Sequence, residues 1–96
     1  LRERISKDPE NVVHRFVLLA KLREEKNWPD AILEACEILK RQPDYLLVRI
    51  YLGEALLRSG KKEEAKQVLI EAQQMAIRFG HKAPKELVEA LLSELF

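Results

Sequence analysis

Apolar residues recur along most of the chain at the three- and four-residue spacing of amphipathic helices, and no segment shows the strict alternation of a half-buried strand. Glycines and prolines interrupt this pattern at intervals of helical length. The sequence therefore predicts an all-α fold of five helices. They are expected at residues 11–25, 29–41, 45–58, 62–79 and 84–96, joined by short loops that make consecutive helices antiparallel neighbours.

The chain also contains an internal repeat. A shift of 34 residues brings six pairs of identical residues into register and aligns the predicted helix boundaries as well. The pairs are Pro9 and Pro43, Arg15 and Arg49, Leu18 and Leu52, Leu22 and Leu56, Ala31 and Ala65, and Glu37 and Glu71. Two helices in 34 residues is the length of a tetratricopeptide unit.

At these positions the chain resembles the tetratricopeptide repeat family. The second unit carries the family's pattern of small and large residues at Leu52, Gly53, Leu56, Gly60, Ala65, Leu69 and Ala72. The first unit carries it at Leu18, Leu22, Ala31, Ala35 and Pro43, with Trp28 at the aromatic position. Leu19 and Ile38 depart from the pattern, because both stand where the family has a smaller residue. The resemblance implies an antiparallel helix-pair solenoid, a TPR-like superhelix.

This interpretation divides a single domain, residues 1–96, into four segments. Residues 1–7 would be the end of an upstream helix, 8–43 the first repeat, 44–79 the second repeat with an extended second helix, and 80–96 a capping helix. The last helix is amphipathic, which is typical of a terminal cap whose outer face meets water. The chain does not begin with methionine and is expected to be a fragment of a longer protein.

The charges of the chain nearly cancel. Seventeen lysines and arginines against sixteen aspartates and glutamates leave a formal charge of +1. Such a balance gives no overall field that attracts nucleic acid or an anionic membrane, and no apolar run is long enough to span a bilayer. We therefore expect neither a nucleic-acid nor a membrane partner. The single cysteine, Cys36, excludes an internal disulfide, which slightly favours a cytoplasmic location.

Residues that could catalyse a reaction or bind a metal are scattered along the chain. His14 and His81 have no second histidine or cysteine at ligand spacing, and adjacent glutamates on a helix point in different directions. The sequence thus predicts no enzyme, no metal site and no cofactor. Two groups of basic residues lie at helix junctions, where either could contact an acidic partner or phosphate. They are Arg58, Lys61 and Lys62, and Arg78, His81, Lys82 and Lys85.

The first helix of each unit is apolar on two sides, and such a helix needs two surfaces to pack against. The leucines that the repeat aligns are expected to face the core. The other stripe consists of Val13, Phe16 and Ala20 in the first unit and Leu47, Ile50 and Leu57 in the second. The resemblance implies that this stripe lies on the concave side, where the family commonly holds a peptide or helix of a partner protein. Arg23 and Glu54 are expected near the rim.

The sequence therefore predicts a protein-interaction module that binds an apolar peptide or an amphipathic helix in a groove. Phe16 and Ala20 stand where chaperone-docking members of the family carry lysine and asparagine, so a carboxylate clamp is not expected. Two alternatives remain open. Neighbouring helices could bury the stripe against each other, or the chain could be a structural element that forms a homo-oligomer through its end faces or capping helix.

Overall fold

The computed structural model describes residues 12–95, which form five helices and no strand. The helices are α1 (Val12–Glu24), α2 (Trp28–Arg41), α3 (Leu46–Arg58), α4 (Lys62–Phe79) and α5 (Lys82–Ser93). The predicted all-α class is confirmed for this part of the chain. The expected upstream helix end at residues 1–7 and the first predicted helical residue, Asn11, lie outside the described residues.

The turns that end α1 and α3 have the same hydrogen-bonding pattern. At the end of α1 the Asn27 N–H donates to the Leu22 carbonyl oxygen across 2.9 Å, and 34 residues later the Lys61 N–H donates to the Leu56 carbonyl oxygen at the same distance. The two helices also begin and end 34 residues apart, at 12 and 24 for α1 and at 46 and 58 for α3. Helix bounds and turns therefore share the period of the sequence repeat.

One residue with a left-handed backbone reverses the chain in each of three turns. Gly60 and Gly80, after α3 and α4, have φ values of 82° and 71°, which cost little because glycine lacks a Cβ. Lys26 occupies the matching position after α1 with a φ of 59° and does carry the steric cost. The turn between α1 and α2 is therefore strained where the other two are not.

The last helix begins earlier than the sequence suggests. α5 starts at Lys82, two residues before the predicted start at Pro84. The first four N–H groups of a helix have no partner within it, so a proline in the first turn removes no hydrogen bond. The first hydrogen bond of α5 is donated by the Lys85 N–H to the His81 carbonyl oxygen.

The helix α3 lies at the centre of the described structure. Each helix packs against the next one in the chain, and α3 contacts all four of the other described helices. Seven residues of α3 are buried: Leu46, Val48, Ile50, Leu52, Gly53, Ala55 and Leu56. None of the helices within residues 12–95 combines the length and the apolar character needed to cross a bilayer.

The core consists of two clusters of buried side chains, and both include residues of α3. The first cluster joins α3 to α1, α2 and the start of α4: Leu19, Ala31, Ala35, Ile38, Val48, Leu52, Ala55, Leu56 and Ala65. The second cluster joins α3 to α4 and α5: Leu46, Ile50, Leu69, Ala72, Met75, Ala76, Val88, Leu91 and Leu92. Leu52 and Leu56 therefore face the core as expected, and α5 turns its apolar side inward.

The face of α1 that meets the core differs from the predicted one. Leu18 was expected to be buried, but its side chain is 45% exposed, whereas adjacent Leu19 is 1% exposed. Leu22 is half-buried against the first cluster. The aligned residue on α3, Leu52, is buried because it packs among side chains of α1 and α2. Of the described helices only α2 and α3 pack on α1, and neither covers Leu18.

The close approach of α3 and α4 requires a glycine at position 53. A Cβ at Gly53 would overlap the Cδ2 atom of Leu69 and lie 2.6 Å from its Cγ atom. Leu69 is itself fully buried in the second cluster, so it cannot move aside without displacing its neighbours. Any side chain at position 53 would therefore push the two helices apart.

An ion pair ties the end of α3 to the end of α5. The Nη1 and Nη2 atoms of Arg58 donate to the two carboxylate oxygens of Glu94 across 2.7 and 3.2 Å. These hydrogen bonds lower the pKa of the Glu94 carboxyl below its ordinary value and raise the pKa of Arg58. The pair therefore fixes the last residues of the described chain relative to α3.

We expect Gly53→Ala to lower the free energy of unfolding by about 1–2 kcal/mol. Overpacking a core costs about 1–3 kcal/mol, and the better helix propensity of alanine returns at most about 1 kcal/mol. Urea denaturation followed by far-ultraviolet circular dichroism measures the change. Leu69→Ala removes the obstructing atoms, so Gly53→Ala should cost less in that background. Equal costs in both backgrounds would show that Leu69 is not the obstacle.

The Glu94 carboxyl should titrate below its ordinary pKa in the folded chain, and Arg58→Met should return it to the ordinary range. Because the folded-state pKa is lowered, the contribution of the pair to stability is complete above the unfolded-state pKa and is lost as the pH falls through the folded-state value. A carbon-detected NMR pH titration measures this. Arg78→Met removes the same charge away from Glu94 and is the control. A Glu94 titration that Arg58→Met leaves unchanged would contradict the assignment.

Candidate protein-interaction surface

The predicted groove between α1 and α3 is filled by aromatic side chains of the chain itself. Phe16 stacks on Tyr45, which precedes α3, and on Tyr51 within α3. The ring centroids are 5.5 and 5.9 Å apart and the interplanar angles are 10° and 18°. Phe16 is half-buried and also packs against the first core cluster. Much of its surface is therefore already in contact within the chain.

Arg23 and Glu54, the predicted rim residues, bind each other across the same seam. The Arg23 Nε atom donates to the Glu54 Oε1 atom, and the guanidinium carbon lies 4.5 Å from the ring centroid of Tyr51. The hydrogen bond from Arg23 to Glu54 raises the pKa of Arg23 in spite of its partial burial. The two charges are thus satisfied within the chain, where they join α1 to α3.

The predicted residues on α3 do not form an open floor. Ile50 is fully buried among side chains of α4 and α5, so its prediction as a partner contact is wrong. Leu57 is half-buried and packs against both core clusters, and Leu47 is half-buried. The physical reason is that α3 has α1 and α2 on one side and α5 on another, so the chain itself covers its second apolar stripe.

An apolar surface does remain exposed on α1. Val17 is 61% exposed and Leu18 is 45% exposed, and Val13, one turn before Val17, is exposed as well. We refer to Val13, Val17 and Leu18 as the α1 outer face. Val13 is the member that the sequence also assigned to the partner-binding stripe. Ala20, from the same predicted stripe, is half-buried and lies one turn beyond Val17.

The α1 outer face corresponds to a covered face of α3. The residues 34 positions later are Leu47, Tyr51 and Leu52. Leu52 is buried in the first cluster, which includes side chains of α1 and α2, and Tyr51 packs against that cluster. Positions that receive two helices in the second unit are therefore exposed in the first.

Sequence reasoning missed Val17 and the two tyrosines. Val17 lies between the two predicted stripes of α1, but the continuous apolar run at residues 16–20 has more apolar residues than one side of a helix can bury. That run is the signal that could have identified Val17. Tyr45 and Tyr51 flank the aligned position of Phe16, which is Ile50, and no local pattern indicates that Phe16 would stack on them.

The described residues carry little that could support a reaction. Within residues 12–95 no group of three or more His, Cys, Asp or Glu side chains is placed to hold a metal ion. Cys36 is exposed on α2, and partial desolvation together with the charge of Glu37 raises the pKa of its thiol. A raised pKa lowers the fraction of thiolate, whereas a nucleophilic cysteine needs that fraction increased. Cys36 therefore lacks the activation that nucleophilic catalysis requires.

Adjacent leucines on α1 provide a matched test of which side packs inward. Leu19→Ala should lower the free energy of unfolding by about 2–5 kcal/mol, as expected for a fully buried leucine. Leu18→Ala should change it by about 0.5 kcal/mol, because that side chain is largely in solvent. Urea denaturation of the two variants gives both values. The reverse order would show that α1 packs through the face that the sequence predicts.

Comparison with known proteins adds no relative to this picture. No protein-family model, curated protein or solved structure matches the chain. The argument for function therefore rests on the residues and contacts described above.

Proposed function

We propose that the chain is a protein-interaction module of two tetratricopeptide-like units, and that it binds an amphipathic helix of a partner protein through the α1 outer face. The interval of 34 residues between equivalent helix bounds and turns supports the two-unit solenoid. The packing of each helix on the next and the close approach at Gly53 support it as well. In this arrangement α5 closes the second unit as a cap.

The exposure of Val17 and Leu18 carries the proposal. Single exposed apolar residues are common on protein surfaces, but contiguous apolar patches are typical of interaction sites. The counterparts of these residues, Tyr51 and Leu52, pack against α1 and α2. A surface whose equivalent receives helices is shaped for a helix, so an amphipathic helix is favoured over an extended peptide as the ligand.

The expected affinity is modest. Burial of each large apolar side chain contributes about 1.5–3 kcal/mol before the costs of association are subtracted. Three such side chains on the α1 outer face correspond to dissociation constants from about millimolar to about micromolar. A reversible contact of this strength suits a module that works together with other binding surfaces.

The role proposed for several predicted contact residues changes accordingly. Phe16, Arg23 and Glu54 hold α1 against α3 and so position the α1 outer face, instead of touching the partner directly. A helix fixed in this way loses little freedom on binding, which lowers the cost of association. Ala20 lies at the edge of the face, where its small side chain leaves room for a partner side chain.

A second copy of this chain is the alternative occupant of the α1 outer face. An exposed apolar helix face also supports homodimers, in which each copy buries the same patch. Self-association through the capping helix has less support, because Leu91 and Leu92 are buried against α3 and α4.

Val17→Asp combined with Leu18→Asp should weaken the binding of an amphipathic helical peptide at least about tenfold, because both carboxylates would lose water in the complex. The peptides are selected against the unmodified chain from a display library, and fluorescence anisotropy measures their affinity. Leu33→Asp is the matched control, because Leu33 is exposed on α2, outside the α1 outer face. It should change the affinity less than about twofold.

Circular dichroism establishes first that each variant keeps its helical content. Equal losses of affinity in the double variant and in Leu33→Asp would contradict the proposal. Analytical ultracentrifugation tests the alternative occupant. A dimer of the unmodified chain that becomes monomeric in the double variant would replace the partner helix with a second copy.

A further inference from the structure

A chemically different surface lies at the turn between α4 and α5. An open cleft of about 350 Å³ is lined there by Ala76, Ile77, Gly80, His81, Lys82 and Lys85. Ile77 is 58% exposed, and Phe79, the last residue of α4, is 41% exposed. We refer to this feature as the α4–α5 cleft. It brings exposed apolar side chains and cationic side chains together.

The chain around the α4–α5 cleft is locally basic. Residues 72–85 include Arg78, Lys82 and Lys85 but neither aspartate nor glutamate. The Nζ atom of Lys85 lies 3.8 Å from a carboxylate oxygen of Glu89, one turn further along α5, which is near the outer limit for an ion pair. In a chain with a formal charge of +1 this is a marked concentration of positive charge, and it is complementary to an acidic ligand.

Side chains at this turn already contact one another. The guanidinium carbon of Arg78 lies 5.6 Å from the ring centroid of Phe79. The His81 ring lies 5.9 Å from the same centroid at an interplanar angle of 60°. These contacts restrict the aromatic ring and the nearby cations before a ligand arrives, and such restriction lowers the cost of binding.

The other basic junction of the chain lacks this combination. At the turn between α3 and α4, Arg58 is bound to Glu94, and two glutamates, Glu63 and Glu64, directly follow Lys62. The exposed large apolar side chains of the described residues include none at this turn. Clustered lysines therefore occur at both junctions, whereas unopposed charge beside exposed apolar surface occurs at the α4–α5 cleft.

We propose that the α4–α5 cleft binds an acidic segment of a partner protein that carries a large apolar side chain. Carboxylates of the segment pair with Arg78 and Lys82, and its apolar side chain covers Ile77 and Phe79. The apolar contact distinguishes this ligand from a simple anion. The proposal does not depend on the α1 outer face, which is apolar and lies on a different helix.

The test uses a fluorescently labelled acidic peptide with a central Leu-Phe pair, titrated with the 96-residue chain. Fluorescence anisotropy is measured at about 50 mM and about 300 mM salt, and screening should weaken the binding at least about fivefold at the higher concentration. A second peptide has Ser-Ser in place of Leu-Phe and should bind at least about threefold more weakly. A single-stranded oligothymidylate of equal charge is the third probe.

Lys82→Glu and Lys62→Glu form a matched pair of variants. Each residue is the first of its helix, α5 and α4 respectively, so the two substitutions change net charge and helix position equally. A glutamate is favourable in the first turn of a helix, so both variants should fold. Lys82→Glu should weaken binding of the acidic peptide about tenfold, and Lys62→Glu less than about twofold. Ile77→Ser should weaken it about threefold through the lost apolar contact.

Three results would overturn the proposal. Equal losses in Lys82→Glu and Lys62→Glu would reduce the effect to net charge. Equal affinity for the Leu-Phe and Ser-Ser peptides would remove the apolar contact that defines the ligand. Tighter binding of oligothymidylate than of the acidic peptide would assign the cleft to nucleic acid instead of an acidic protein segment.

Discussion

The fold depends on the burial of α3 on two sides, and that burial depends on the contact between Gly53 and Leu69. Because Gly53 has no side chain, α4 lies close enough to α3 for Leu69 to fill the space between them. α5 packs against both of these helices, so its position follows from theirs. Both proposed surfaces are positioned by this arrangement, since α1 packs on α3 and the α4–α5 cleft lies where α5 meets α4.

The helical layout is largely predictable because local chemistry determines it. The predicted bounds of α4, residues 62–79, agree with the structure, and Gly80 ends that helix in a left-handed conformation. The start of α5 was predicted two residues too late because Pro84 was assigned to the first helical position. Proline is tolerated throughout the first turn, so its presence does not fix the start of a helix to a single residue.

The side of each helix that becomes buried is less predictable, because it depends on which helices lie alongside. Leu18 and Leu52 are identical residues at equivalent positions, yet one is exposed and the other is buried. The periodicity of α3 indicates two apolar sides but does not reveal that α5 covers Ile50. The pairing of Arg23 with Glu54 likewise requires two helices that lie 31 residues apart in the chain to dock first.

The strained turn at Lys26 has a consequence for how the chain opens. Local opening begins where the fewest buried contacts must break, and α1 packs only on α2 and α3 among the described helices. The left-handed backbone of Lys26 adds a steric cost that is relieved when the turn unfolds. α1 and α2 therefore form the least stable cooperative unit, while α3, α4 and α5 remain folded. A ligand that occupies α1 would suppress this local opening, so its affinity would be coupled to the cooperativity of folding.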